Sequence, residues 1–275
     1  MSETIIEAGL RRVELAGSRY WSGRARALAG RIADAVAPVT LCCVVCLVAV
    51  WFLERALMGQ VHGGRRIGYL AFGGLPNASI VGRGDPAQWW RFVSSGLLHD
   101  RTNPFHLAAN AAALIVVGSV IERLYGRLVM LSTLVLGVVT GCAAWMVASA
   151  LGWAAVPDYT IGCSAGVCAL VGMMLVYGYR HGRHLSRSRA QAMKAQAALG
   201  IALMLLSGLL VPDLNNVAHG AGLLCGALLA AILPGGRDVL HSLGWRLRAV
   251  FASVVMLASV SILLAAHNLA GRLTA

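Results

Sequence analysis

Ser164 stands in the string Gly162-Cys163-Ser164-Ala165-Gly166, at the head of an apolar stretch that runs to Tyr179. A serine between glycines is a poor packing choice but a good one for a nucleophile that another molecule must approach closely. Its hydroxyl needs a neighbouring base to become reactive. His219, in Ala218-His219-Gly220-Ala221-Gly222, is a natural candidate, because an imidazole with a pKa near 6.5 is largely neutral at cellular pH. Acyl transfer also needs hydrogen-bond donors where an oxyanion develops. His106 and Asn110 are four residues apart, so a helix shows both on one face. With the Ser164 backbone N–H they could supply those donors, and Gly162 is placed with them as an oxyanion or substrate-binding position. No carboxylate is placed as a third catalytic member, so the expected machinery is a Ser164–His219 dyad. No metal or other cofactor is called for. His181 and His184, in the basic stretch 180–194, read as solvated rather than as metal ligands.

The elements that must position these groups are membrane spans. Of 275 residues, 58% are hydrophobic and 12% charged, against roughly 25% charged in soluble chains. Seven uncharged runs cover about 35–53, 103–121, 128–157, 159–179, 195–212, 214–236 and 249–271. At about 1.5 Å per residue each can cross a hydrocarbon core of about 30 Å. The fold class expected is an all-α polytopic membrane protein. Segments of this length without strand alternation argue against a β-barrel.

The net charge of +12 follows topology rather than nucleic acid. Of the 23 basic residues, 22 are arginine and Lys194 is the exception. Sixteen share one side if the N-terminus is cytoplasmic, and seven lie opposite. This is the positive-inside pattern, and it places the C-terminus outside. Residues 1–34 have no apolar core, so they read as a cytoplasmic Arg-rich segment and not as a cleavable signal. Residues 5–33 read either as a helix on the inner membrane surface or as a plain tail. Residues 35–236 form the expected six-helix core, and 237–275 a cytoplasmic linker with a seventh span. All seven cysteines sit in or at the edge of spans, which argues against a disulfide framework.

The loop 56–102 is long, glycine-punctuated and ends in Gln88-Trp89-Trp90-Arg91. It is either an interfacial anchor or a structured element with a role. Glu122 at the inner edge of span two reads as structural, bonding backbone or arginine. Ala218, Gly222 and Gly226 make a stripe of small residues that favours close helix packing. Spans four and six are expected to pack through Gly166, Gly222 and Gly226. Even-numbered spans enter from outside, so Ser164, His219, His106 and Asn110 fall at matching depth, just below the outer surface. Four polar groups from three membrane helices at one level read as a site. The string also matches a G-x-S-x-G nucleophile elbow, but that needs a preceding strand and a soluble sheet, which this chain does not offer.

Over about 88–226 these residues resemble the rhomboid family of intramembrane serine proteases. The matches are Trp90-Arg91 with Ser94, His99, His106 and Asn110 as H-x-x-x-N, Gly118 and Glu122 as G-x-x-x-E, the serine string, and Ala218-His219-x-x-Gly222-x-x-x-Gly226. The resemblance implies a rhomboid-like six-helix bundle plus a seventh C-terminal helix. It implies that the Ser164–His219 dyad cuts single-span transmembrane proteins near the outer membrane face. His106 and Asn110 would be oxyanion donors, and the Trp90-Arg91 loop would lie partly in the outer leaflet. The partners expected are such substrates and the lipid bilayer, with no nucleic acid. The arginine- and alanine-rich composition points to a bacterial inner membrane. Two positions depart from the common pattern: Ala165 follows the serine where glycine is usual, and Cys168 stands where a tyrosine usually stacks on the histidine. A rhomboid-like scaffold that binds membrane helices without cutting them is the alternative, and a transporter a weaker one.

Overall fold

The computed structural model describes residues 36–61, 64–77, 88–152, 158–210, 215–235 and 244–274. The Arg-rich segment 1–34 lies outside the described residues, as do Gly63, Gly84, Pro157 and Asp213.

The described residues are mainly helical. Five helices are long and apolar enough to cross a membrane: Pro38–Gln60, Pro104–Tyr125, Arg127–Ala150, Arg187–Leu210 and Trp245–Thr274. Two shorter apolar helices, Ser164–Arg180 and Asn216–Ile232, sit among them. In chain order we name α1 (Pro38–Leu57), α2 (Gly64–Phe72), α3 (Arg91–Ser94), α4 (Pro104–Ala113), α5 (Ser119–Tyr125), α6 (Arg127–Ala150), α7 (Ser164–Arg180), α8 (Arg187–Leu210), α9 (Asn216–Ile232) and α10 (Trp245–Thr274). A two-residue antiparallel pair, β1 (Leu75–Pro76) with β2 (Tyr159–Thr160), is the strand content among the described residues. The described residues are thus all-α apart from this clip.

Several expected boundaries move. The first span runs past Glu54-Arg55, and Glu54 is fully buried. The fourth helix begins at Ser164 itself rather than four residues earlier, because 158–163 form β2 and a turn. The linker between α7 and α8 is short, since Arg187 already starts α8. Nor is His181 solvated: its ring lies 5.1 Å from that of Tyr177 and 6.4 Å from that of His184, and Gly235 packs on it.

α7 is the axis of the bundle. Every residue from Ala165 to Met174 is buried, as expected of a helix that is apolar all round. Glycines let its neighbours approach to backbone distance. A side chain at Gly222 would collide with the Ala165 carbonyl, and one at Gly226 with that of Ala169. Gly172 meets Leu223 from the other side of the same seam. Gly166 does not serve this contact, contrary to expectation. It faces α6, where Leu134 and Val138 fill the space a side chain would need. Gly137 and Gly141 of α6 complete that seam against Ala169 and Ala165.

Between α4 and α5 the chain takes a π turn over Leu114–Gly118. Gly118 leaves room for Thr40 of α1. One turn further on, Glu122 accepts from Val39 N at 3.1 Å, Thr40 N at 2.7 Å and Thr40 Oγ1 at 2.8 Å. A carboxylate on the first, otherwise unpartnered N–H groups of a helix satisfies them and complements its dipole. Arg127 stands 3.9 Å from the same carboxylate, so Glu122 is structural, as expected.

α10 runs beside α6, α3 and α2. Ser132 Oγ donates to Phe251 O at 3.1 Å near the start of α10, and Asn268 Nδ2 donates to Ala71 O at 2.7 Å near its end. Gly226→Ala should force α7 and α9 apart and cost about 1–3 kcal/mol. The expected readout is a thermal transition several degrees lower in mild detergent, with Gly220→Ala, whose methyl meets open space, as the neutral control.

Candidate active site

His219 Nε2 lies 2.7 Å from Ser164 Oγ. Ser164 is the first residue of α7 and half-exposed, while His219 is the fourth of α9 and buried. Their meeting follows from the seam below them. Asn215 adds a local clamp: its Oδ1 caps α9 by accepting from Ala218 N at 3.0 Å, and its Nδ2 donates to Thr160 Oγ1 at 3.1 Å. One side chain therefore ties the start of the histidine helix to the strand that feeds the serine. His219 Nδ1 is buried with no hydrogen-bond partner among the described residues. No carboxylate orients the ring, and no aromatic ring packs on it among the described residues. Cys168, at the position where a stacking tyrosine was expected, turns its Sγ 3.6 Å from Met204 Sδ of α8 instead.

Gly162 holds a slot open beside the pair. Its φ is +113°, a left-handed value that favours glycine. A methyl there would sit 3.0 Å from His106 Nε2 and 3.9 Å from Ser164 Oγ. The slot therefore lies between the nucleophile and an imidazole nitrogen. His106 Nδ1 accepts from Asp100 N at 3.3 Å, which places the proton of the neutral ring on Nε2, facing the slot. The first N–H groups of α7, which starts at Ser164, have no intrahelical acceptor. Asn110 Nδ2 donates to the His106 carbonyl at 3.0 Å. It makes no hydrogen bond to Ser164, His219 or Gly162 among the described residues, so it braces α4 and leaves its second amide hydrogen for a ligand.

Residues behind the slot fix its walls, and several carried no signal in the sequence. Gly162 N donates to Ser95 O at 2.9 Å. His99 is fully buried, with Nδ1 3.3 Å from Leu97 O and Nε2 3.8 Å from Cys163 Sγ. Its ring centroid is 5.0 Å from that of His106, and its backbone N donates to Glu54 Oε2 at 3.3 Å. Tyr69 accepts from Arg101 N at 2.7 Å and donates to His99 O at 3.4 Å. Burial pushes the Cys163 thiol up to about 12, so it is no rival nucleophile. Burial, and then His106, push His99 down to about 4.

The Trp90-Arg91 loop is a packed element, with Trp90 buried and Trp89 exposed. Arg91 donates to Leu70 O at 2.5 Å and Gly74 O at 3.0 Å, and to Gln88 Oε1. Its guanidinium also lies over the Trp90 ring at 4.4 Å. Burial, and then Arg272, lower its pKa to about 10, so it stays charged at neutral pH. Ser94 Oγ donates to Gly73 O at 2.8 Å.

With this geometry in place, relatives can be compared. A model of the Rhomboid domain matches residues 86–235, more than half of the chain. The chain belongs to the rhomboid family. It is 27% identical over 207 residues to Rhomboid protease AarA of Providencia stuartii, covering 70% of this chain and 71% of that protein. It is 29% identical over 164 residues to Rhomboid protease GluP of Bacillus subtilis, and 30% identical over 169 residues to Rhomboid-type serine protease 2 of Emericella nidulans. Those two matches span 60% and 58% of this chain but only 29% and 30% of the relatives. At the level of the family, the chain is an integral membrane serine protease, a hydrolase. The matched rhomboid region carries the serine, both slot residues and the histidine, and leaves out α10.

The depressed His99 has a consequence for stability. An unfolded histidine titrates near 6.5, whereas this one takes up its proton only near 4. Between these values the unfolded chain holds more protons, so stability falls as pH drops from about 6.5 to 4. His99→Gln should remove about 3 kcal/mol of that pH-dependent loss, read as a shallower fall of the thermal midpoint across this window.

Proposed function

We propose that the protein hydrolyses peptide bonds in single-span transmembrane proteins with a Ser164–His219 dyad. The 2.7 Å contact between Ser164 Oγ and His219 Nε2 carries this reading. In the first step Ser164 Oγ bonds to the scissile carbonyl carbon while its proton passes to His219 Nε2. The carbonyl π electrons move to oxygen, and the resulting oxyanion sits in the slot kept open by Gly162. His106 Nε2–H and the Ser164 N–H donate to it, with Asn110 as a further donor. Collapse breaks the C–N bond, and His219 returns its proton to the departing amine. Water repeats the sequence on the acyl-enzyme and regenerates Ser164. With no carboxylate at His219 Nδ1, the imidazolium formed in each half-reaction is stabilised by the developing oxyanion and the site's dipoles alone.

The basic residues support a cytoplasmic N-terminus and an outer position for the site, as in a bacterial inner membrane. In this arrangement 35–236 form the six-helix core, each apolar helix crosses once, and 237–275 add a linker and the seventh span. Cleavage then falls near the outer face of the substrate helix. Segments with small or helix-breaking residues there leave the helical state at modest cost and can enter the site extended.

Ser164→Ala and His219→Ala should each lower cleavage of a single-span substrate by about 10³-fold or more, with unchanged circular dichroism and thermal midpoint. A fluorophosphonate probe should label the parent and not Ser164→Ala. Turnover retained by either purified variant would remove the dyad.

A further inference from the structure

At the end of the bundle opposite the serine, α7 and α8 enclose an open cleft of about 410 Å³. Its lining includes Gly178, Tyr179, Leu185, Arg187, Gln191 and Lys194. Two features make it more than a surface dent. First, its cations form no ion pair among the described residues, and from residue 159 to 212 the chain has no aspartate or glutamate. Arg187 is exposed and forms no ion pair among the described residues. Arg180 does not share the cleft's work, because it donates to the Ala230, Ala231 and Leu233 carbonyls at the end of α9. Second, Lys194 is held in place. Its Nζ lies 4.4 Å from the Tyr179 ring centroid, and its stem runs over Gly178, where a methyl would come within 3.2 Å of Lys194 Cγ. The cation is therefore presented at low conformational cost.

The cleft's level in the membrane follows from α8. Leu199, Leu203, Leu206 and Leu210 are exposed along its apolar part, which faces lipid. Arg187, Gln191 and Lys194 precede that part by roughly one and a half to three turns. Tyr179, 70% exposed at the end of α7, marks the same boundary. Leu185 and Ala190 add apolar wall beside the cations. Basic clefts between helices at a membrane edge suit anionic lipid headgroups. A negative phosphodiester would meet two cations and the amide of Gln191, while its glycerol lies on the apolar wall. We propose that this cleft binds the phosphodiester headgroup of an anionic phospholipid. The proposal does not rest on the Ser164–His219 chemistry.

Lys194 is the only lysine in the chain. Reductive methylation with ¹³C-formaldehyde therefore gives one side-chain resonance and preserves the charge. The full chain is placed in phosphatidylcholine bicelles and titrated with phosphatidylglycerol at constant ionic strength. The expected result is a saturable shift of the Lys194 signal, with half-saturation about fivefold higher in Arg187→Gln. Arg246→Gln, which removes a charge elsewhere in the chain, should leave the curve unchanged, and inorganic phosphate at equal concentration should not move the signal. No shift, a shift that never saturates, or equal effects of both substitutions would overturn the site. An equal response to free phosphate would overturn the lipid assignment.

Discussion

The absence of side chains along the seams of α7 governs the rest of the molecule. Gly222 and Gly226 on α9, Gly172 and Gly166 on α7, and Gly137 and Gly141 on α6 bring three backbones together. In lipid, apolar surface gains little by burial against another helix, so close van der Waals packing has to supply the association. Here the contact also sets distance. Ser164 and His219 each stand at the start of their helix, a turn or less above the first glycine contact. An error in the seam would appear directly as an error in the Oγ–Nε2 separation.

Fixed donors and acceptors around the site decide proton positions. His106 is held in one tautomer by the Asp100 amide, so its free nitrogen donates toward the slot. His99, one ring behind, places its Nδ1 against Leu97 O and leaves Nε2 to the Cys163 thiol. Burial keeps both Cys163 and His99 neutral at cellular pH. The wall behind the nucleophile therefore carries no competing charge, and the electrostatics of the pocket are left to the slot donors. His219 Nδ1 and Glu54 Oε1 are buried polar atoms that find no partner among the described residues.

Much of this was legible in the sequence, and the reasons for the rest are physical. Long uncharged runs located the apolar helices, five of them long enough to cross a membrane and two shorter, and Ser164, His219 and His106 stood out because polar groups are costly in such runs. The Glu122 role followed from its place at a helix edge. Helix ends were misjudged where a tertiary clip intervened: β2 takes 159–160 and delays the start of α7. Gly166 was assigned to the wrong neighbour because a small residue signals closeness without direction. Ser95, Tyr69 and Glu54 left no trace, since each meets a backbone group distant in the chain, and Asn215 left none because its second partner, the Thr160 hydroxyl, lies 55 positions away. The extent of the Arg91 contacts could not be read either, because the carbonyls they hold lie in the last turn of α2 and just beyond it, 21 and 17 residues upstream.

The bond from Asn268 to Ala71 joins residues 197 positions apart. It can form only after the ribosome has delivered residue 268, almost two hundred residues after α2. α2, whose Leu70 carbonyl Arg91 also holds, is therefore fastened late in biosynthesis, as a strap is buckled after the load is stowed.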